Sequence, residues 1–137
     1  MTISETAMTF FDACETGKGA DVCAAWCQDG ATFSCQANAL AEVTTIADYA
    51  EWMKGLLQAV PDGRYELTAF AADDARSTVV APAIFHGSNT GESGPVPPTG
   101  NTLAADYVYV MKFDDDKIRH MTKIWNDEAS MRQLGWA

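Results

Sequence analysis

An α+β fold, with helices packed on a curved and mainly antiparallel sheet that forms a cone, is the class this sequence predicts. Three observations predict it. Apolar residues recur with a period near 3.6 before Val60 and with a period of two after Tyr65. Helices therefore come before strands, an order that segregates them to one face of an antiparallel sheet. The chain has 137 residues, 47% of them hydrophobic and 20% charged, which suits one core and a single domain over 1–137.

The elements follow in order. Ile3, Ala7, Phe10, Phe11 and Cys14 recur at helical spacing and predict a helix over 3–16, stopped by Gly17 and Gly19. A short second helix carries Val22, Cys23, Trp26 and Cys27. Asp29-Gly30 turns into a first strand, Ala31 to Gln36. Thr45 caps a long third helix, with Asp48 as the acidic partner of a capping box. Its apolar stripe is Ile46, Tyr49, Ala50, Met53, Leu56, Leu57 and Val60, and Pro61-Asp62-Gly63 ends it.

Tyr65, Leu67, Ala69 and Ala71 then alternate with polar residues as a strand with one wet face. A further strand runs from Arg76 to His86, where Pro82 implies a bulge or an edge. Gly87 to Gly100 is a long Gly- and Pro-rich loop, which reads either as a lid or binding loop or as a mobile insertion with no role. It lacks the lysine of a phosphate cradle and opens no helix. Strands over 101–113 and Lys117–Asn126 follow, joined by Asp114-Asp115-Asp116. A helix over Glu128–Leu134 closes the chain at Gly135.

Composition narrows the partners. Nine basic residues against nineteen acidic ones leave a net charge of -10, which opposes nucleic acid and anionic lipid surfaces. No apolar run has the length of a membrane span, and the first residues lack the pattern of a signal peptide. A cytoplasmic protein is the expectation. Cys14, Cys23, Cys27 and Cys35 lack the knuckle spacing and the nearby histidines of a zinc site, so reduced thiols and no metal are expected. No dinucleotide or phosphate motif occurs, and no cofactor is implied.

Pro98-Thr99-Gly100, the strand ending in Lys112-Phe113, the tight turn to Lys117-Ile118 and the ending Arg132-Gln133-Leu134-Gly135 resemble the SnoaL-like polyketide cyclases. That family lies in the superfamily of nuclear transport factor 2 and ketosteroid isomerase. The resemblance implies the cone, a homodimer formed through its convex face, and a pocket for a small apolar molecule. In the cyclases an aspartate in the last long strand is the general acid/base, and a gapless match puts Lys123 there. In the isomerases the base ends the first strand, where this chain has Cys35 beside Ser34. Phe10 and Phe11 stand where the isomerases offer a tyrosine hydroxyl.

Strand parity assigns the faces. Met121, Lys123, Trp125 and Asp127 share one, and Ile118, His120, Thr122 and Ile124 the other. A hairpin through a three-residue turn sets Tyr107 opposite Lys123 and Tyr109 opposite Met121. Lys123 is thus the first candidate for catalysis, as a base, a Schiff-base amine or a stabiliser of an enolate oxygen. His86, at the expected cavity mouth, and Asp127, which also stands where it can cap the terminal helix, are the supporting catalytic candidates. Tyr107, Tyr109, Met121, Trp125, Phe11 and Cys35 are the expected lining for substrate. Replacing Lys123 by Met is expected to cost little stability. Two functions stay open: a cofactorless isomerase, cyclase or lyase acting on a carbonyl compound, and a non-catalytic domain that binds a ligand or dimerises.

Overall fold

The computed structural model describes residues 1–137. Helix α1 (Ile3–Glu15) starts at Thr2, whose hydroxyl accepts from Glu5 N while Glu5 Oε1 accepts from Thr2 N, both at 3.1 Å. This reciprocal pair satisfies two of the orphan amides of the first turn. The capping box expected at Thr45 is half made: its hydroxyl accepts from Asp48 N at 3.1 Å. Helix α2 (Ala20–Cys23) is a single turn. Strand β1 (Cys27–Cys35) starts four residues earlier than the sequence pattern suggests. Helix α3 (Ile46–Ala59) lays Ile46, Tyr49, Ala50 and Met53 into the core.

Strands β2 (Arg64–Leu67), β3 (Ala71–Asp73), β4 (Thr78–Ser88), β5 (Thr102–Asp114) and β6 (Lys117–Trp125) complete one sheet, and helix α4 (Asp127–Leu134) ends the chain. The sheet order is β1-β6-β5-β4-β2, with β3 also on β4. Every pairing is antiparallel except β1 with β6, which is parallel. The sheet is therefore mixed, and it curves around α1 and α3 without closing. Its concave face buries Val79, Ala81, Tyr107, Tyr109, Met111, Phe113 and Met121 against Ala7, Phe10, Phe11 and Met53.

One expected strand is in fact two. Residues 65–71 split into β2 and β3, which both pair with β4 and leave a gap at residues 68–70. Pro82 lies opposite that gap. Its carbonyl accepts from Thr68 N at 3.0 Å, and the N–H it lacks falls on the same side, where no ladder runs.

The β5–β6 hairpin corrects the expected register. The loop has two residues, Asp115 and Asp116, with Asp115 in the left-handed region at φ 54°. Phe113 pairs with Ile118 but Lys112 pairs with His120, so Arg119 is an extra residue bulged out of β6. Tyr109, not Tyr107, stands opposite Lys123, and Tyr107 stands opposite Trp125. The odd residue that sequence reasoning put in the turn sits in the strand instead. Parity from Met121 onward is unchanged. Before the bulge it inverts, so Ile118 is buried in the core rather than on the outer face.

The Gly- and Pro-rich loop is tied down. Buried Asn89 donates from Nδ2 to the Ala59 carbonyl at 3.0 Å and accepts at Oδ1 from Thr99 N and Trp136 Nε1. Gly91 presses so closely on α3 that a side chain there would run into the Gln58 carbonyl. The loop packs as a fixed strap across the end of α3 and the C-terminal tail.

Candidate functional site

Glu15 is the last residue of α1 and falls four residues after Phe11, on the buried stripe. It is 1% exposed. Tyr49 comes from α3, and Tyr109 and Lys123 stand side by side on β5 and β6. The four polar groups meet in the core. Tyr109 donates to Glu15 Oε2, the Tyr109 and Tyr49 hydroxyls are 2.9 Å apart, and Lys123 Nζ donates to the Tyr49 oxygen at 2.9 Å. Each tyrosine has one proton to give. The consistent set of donors therefore runs from Lys123 to Tyr49, to Tyr109, to Glu15.

Lys123 is 5% exposed and makes no direct salt bridge. Four ring faces surround its ammonium: Trp125 at 4.5 Å, Tyr49 at 5.0 Å, Trp52 at 5.2 Å and Tyr107 at 5.3 Å from nitrogen to centroid. Such faces attract a cation through their quadrupoles. Burial lowers the Lys123 pKa from its ordinary value, and the Glu15 carboxylate offsets part of that. Burial raises the Glu15 pKa, with Lys123 pulling the other way. The tyrosine hydroxyls are held well above their usual range by burial, so both stay protonated.

A cavity of about 20 Å³ adjoins this network, lined by Glu15, Tyr107, Lys123 and Trp125 with apolar Met53, Leu56, Phe85 and Leu103. That is room for about one water. The Tyr107 hydroxyl is buried without a hydrogen-bond partner. Beyond the half-buried Trp125, whose Nε1 donates to Ser130 Oγ at 2.9 Å, an open groove of about 460 Å³ runs past Cys35, Gln36 and Lys123.

The candidates of the sequence divide accordingly. Lys123, Tyr107, Tyr109 and Trp125 come together, with Phe11 stacked parallel to Tyr107 at 6.3 Å and Met121 buried beneath. Cys35 stands beside Lys123 across the β1–β6 ladder. His86 and Asp127 do not join them. His86 Nε2 lies 2.9 Å from Glu66 Oε1, in a polar cleft with Asp62, Arg64 and Gln133. Asp127 accepts from Ala39 N at 2.8 Å, and Asn126 rather than Asp127 caps α4. Sequence reasoning missed Glu15, Tyr49 and Trp52. The signal for Glu15 was present, because Ile3, Ala7, Phe11 and Glu15 share one i, i+4 row.

No helix is long and apolar enough to cross a membrane. No curated protein sequence matches the chain. Among solved structures, a protein from Jannaschia sp. CCS1 assigned as a SnoaL-like polyketide cyclase matches with a TM-score of 0.80 at 19% identity, over 99% of this chain and 93% of its own. AclR from Streptomyces galilaeus, assigned as a hydroxylase, matches at 0.79 and 18%, over 98% and 82%. IdmH from Streptomyces antibioticus, assigned as a polyketide cyclase, matches at 0.78 and 17%, over 98% and 99%. At these identities the likeness is one of fold. The family model of the SnoaL-like polyketide cyclases matches residues 5–134, and the chain belongs to that family.

Proposed function

We propose that this protein binds a small apolar carbonyl compound beside Lys123 and moves a proton next to that carbonyl, without a cofactor, as an isomerase, cyclase or lyase. One observation carries the reading: a buried ammonium joined through two tyrosine hydroxyls to a buried carboxylate, at the strand position of the family's acid/base. Glu15 is the base, since burial strengthens its hold on a proton. It takes a proton from the carbon next to the carbonyl. The electron pair moves onto the carbonyl oxygen, which the Lys123 ammonium and the free Tyr107 hydroxyl hold as an enolate. Where a carbon–carbon double bond is conjugated with the enolate, returning the proton to the far carbon of that double bond isomerises the compound. Attack of the enolate carbon on a second carbonyl closes a ring. His86 and Asp127 take no part.

Room for a substrate requires movement, because ligand pockets hold roughly 300–1,000 Å³. Trp125 separates the small cavity from the open groove, and its rotation would join them. The apolar convex face, with Val108, Val110, Thr122 and Ile124, pairs two copies in this reading. The small cavity also favours a second reading, in which the network is a structural ion pair and the domain only binds or dimerises.

Deuterium exchange of the α-protons of ketone probes, followed by NMR, separates the two. Catalysis predicts exchange that falls about 10²- to 10⁴-fold in Glu15→Gln. Ligands that shift the melting temperature but never exchange would establish the second reading.

A further inference from the structure

The Lys123 nitrogen differs from the other four lysine nitrogens of the chain. Lys18, Lys54, Lys112 and Lys117 are exposed. Lys123 is enclosed, with no carboxylate in direct contact, and its proton has a path out. Three concerted proton shifts, from Lys123 to Tyr49, from Tyr49 to Tyr109 and from Tyr109 to Glu15, interconvert the charged form that serves proton transfer with a neutral amine and a neutral carboxylic acid. Net charge is unchanged. In an interior of low dielectric, two charges kept apart by two hydroxyl groups gain little attraction for the desolvation they cost. Burial acts in the same direction on both ends of the path.

We propose that the neutral Lys123 amine forms an imine with a small unhindered aldehyde, a covalent step at the site that rests on the carbonyl-binding reading above. The Nζ lone pair forms a bond to the carbonyl carbon, and the carbonyl π pair moves to oxygen, which takes a proton from Glu15. The nitrogen then gives a proton to the Glu15 carboxylate, which passes it to the hydroxyl as the carbon–oxygen bond breaks and water leaves; Glu15 ends as a carboxylate beside the cationic nitrogen. The nitrogen lone pair closes the C=N bond. No oxidant or reductant is consumed.

The aromatic enclosure suits this product. A protonated imine carries its positive charge at the same nitrogen as the ammonium it replaces, so the Tyr49, Trp52 and Tyr107 faces, which stay in place when Trp125 turns, stabilise both. They do not pull the equilibrium back to the free lysine. Once Trp125 turns and joins the cavity to the groove, the apolar lining by Met53, Leu56, Phe85 and Leu103 favours a hydrocarbon tail on the aldehyde.

The test is reductive trapping of the full chain with butanal and cyanoborohydride near neutral pH, read by intact mass and peptide mapping. The proposal predicts a single early adduct, on Lys123, ahead of any exposed lysine. Tyr109→Phe, which cuts the path to Glu15, should slow that adduct about tenfold, the worth of one charge-assisted hydrogen bond, and leave surface labelling unchanged. Labelling of Lys18, Lys54, Lys112 and Lys117 before Lys123, or of Lys123 only in denaturant, would overturn the imine. Ketone exchange without trapping at Lys123 overturns the imine and leaves the proton-transfer reading standing. Trapping at Lys123 without ketone exchange does the reverse.

Discussion

Strand β6 presents two polar sets on its two faces, and they are built in opposite ways. Inside, Lys123 reaches Tyr49, Tyr109 and Glu15 with almost no solvent contact. Outside, the His120 ring takes Thr32 Oγ1 at 2.7 Å and Ser34 Oγ at 3.1 Å, and Ser34 bonds Thr122 at 3.0 Å. Both faces use a basic side chain with hydroxyl partners. On the outer face of the single chain water shares the work, so losing one partner leaves a group that solvent can satisfy. On the inner face nothing else can take the partner's place. A buried charge therefore makes its neighbours interdependent, whereas an exposed one leaves them separable.

The sharpest way to break this comparison is a double-mutant cycle on the inner set. Lys123→Met removes the group that donates to Tyr49, and Glu15→Gln removes the carboxyl that accepts from Tyr109, so each breaks the buried network from one end. Each should lower stability by about 3 kcal/mol in denaturant unfolding. This replaces the sequence-based expectation that Lys123→Met is cheap, which assumed an unpaired lysine. The double variant should be more stable than either single one, and simple additivity of the two losses would refute the coupling.

The outer face is next. Ile124 is 59% exposed beside half-buried Val108 and Val110. If that face pairs two copies, Ile124→Glu should weaken the dimer by about 30-fold or more, because a two-fold interface carries each substitution twice. Light scattering should then move from twice 14.8 kDa toward 14.8 kDa. An unaltered mass would remove this face from the assembly.

Acid should move the two faces in opposite directions. Burial raises the Glu15 pKa from 4.5, so the folded state holds more protons there than the unfolded chain. That contribution to stability grows as pH falls through the window from the raised value down to 4.5. The His120 pKa is lowered from 6.5 by burial and by the Lys112 and Arg119 charges, so the unfolded chain holds more protons. Its contribution shrinks as pH falls from 6.5 to the lowered value. Unfolding curves of Glu15→Gln and His120→Asn against pH should each lose one of these slopes, and slopes of equal sign would contradict the assignment. The smallest expected effect is Thr32→Val, which removes one exposed hydrogen bond and should cost about 0.5–1 kcal/mol in a thermal melt.

Much of this was legible in the residues. The change of period at Val60, the stripe Ile3-Ala7-Phe10-Phe11-Cys14 and the alternation along 103–113 determined the α+β class and the inner face of β5. Those are local properties, because side-chain direction follows from period alone. What only the tertiary structure decided is who meets whom. The pairing of Tyr109 with Lys123 depends on a bulge at Arg119, which costs one residue of register and which no composition signal marks. The parallel β1–β6 pairing, which brings Cys35 to Lys123, joins strands from the two ends of the chain. Glu15, Tyr49 and Lys123 lie on three separate elements, and each alone reads as helix end, apolar stripe or strand. Their chemistry arises from proximity across long sequence separations, which is a property of the packed core and not of any segment.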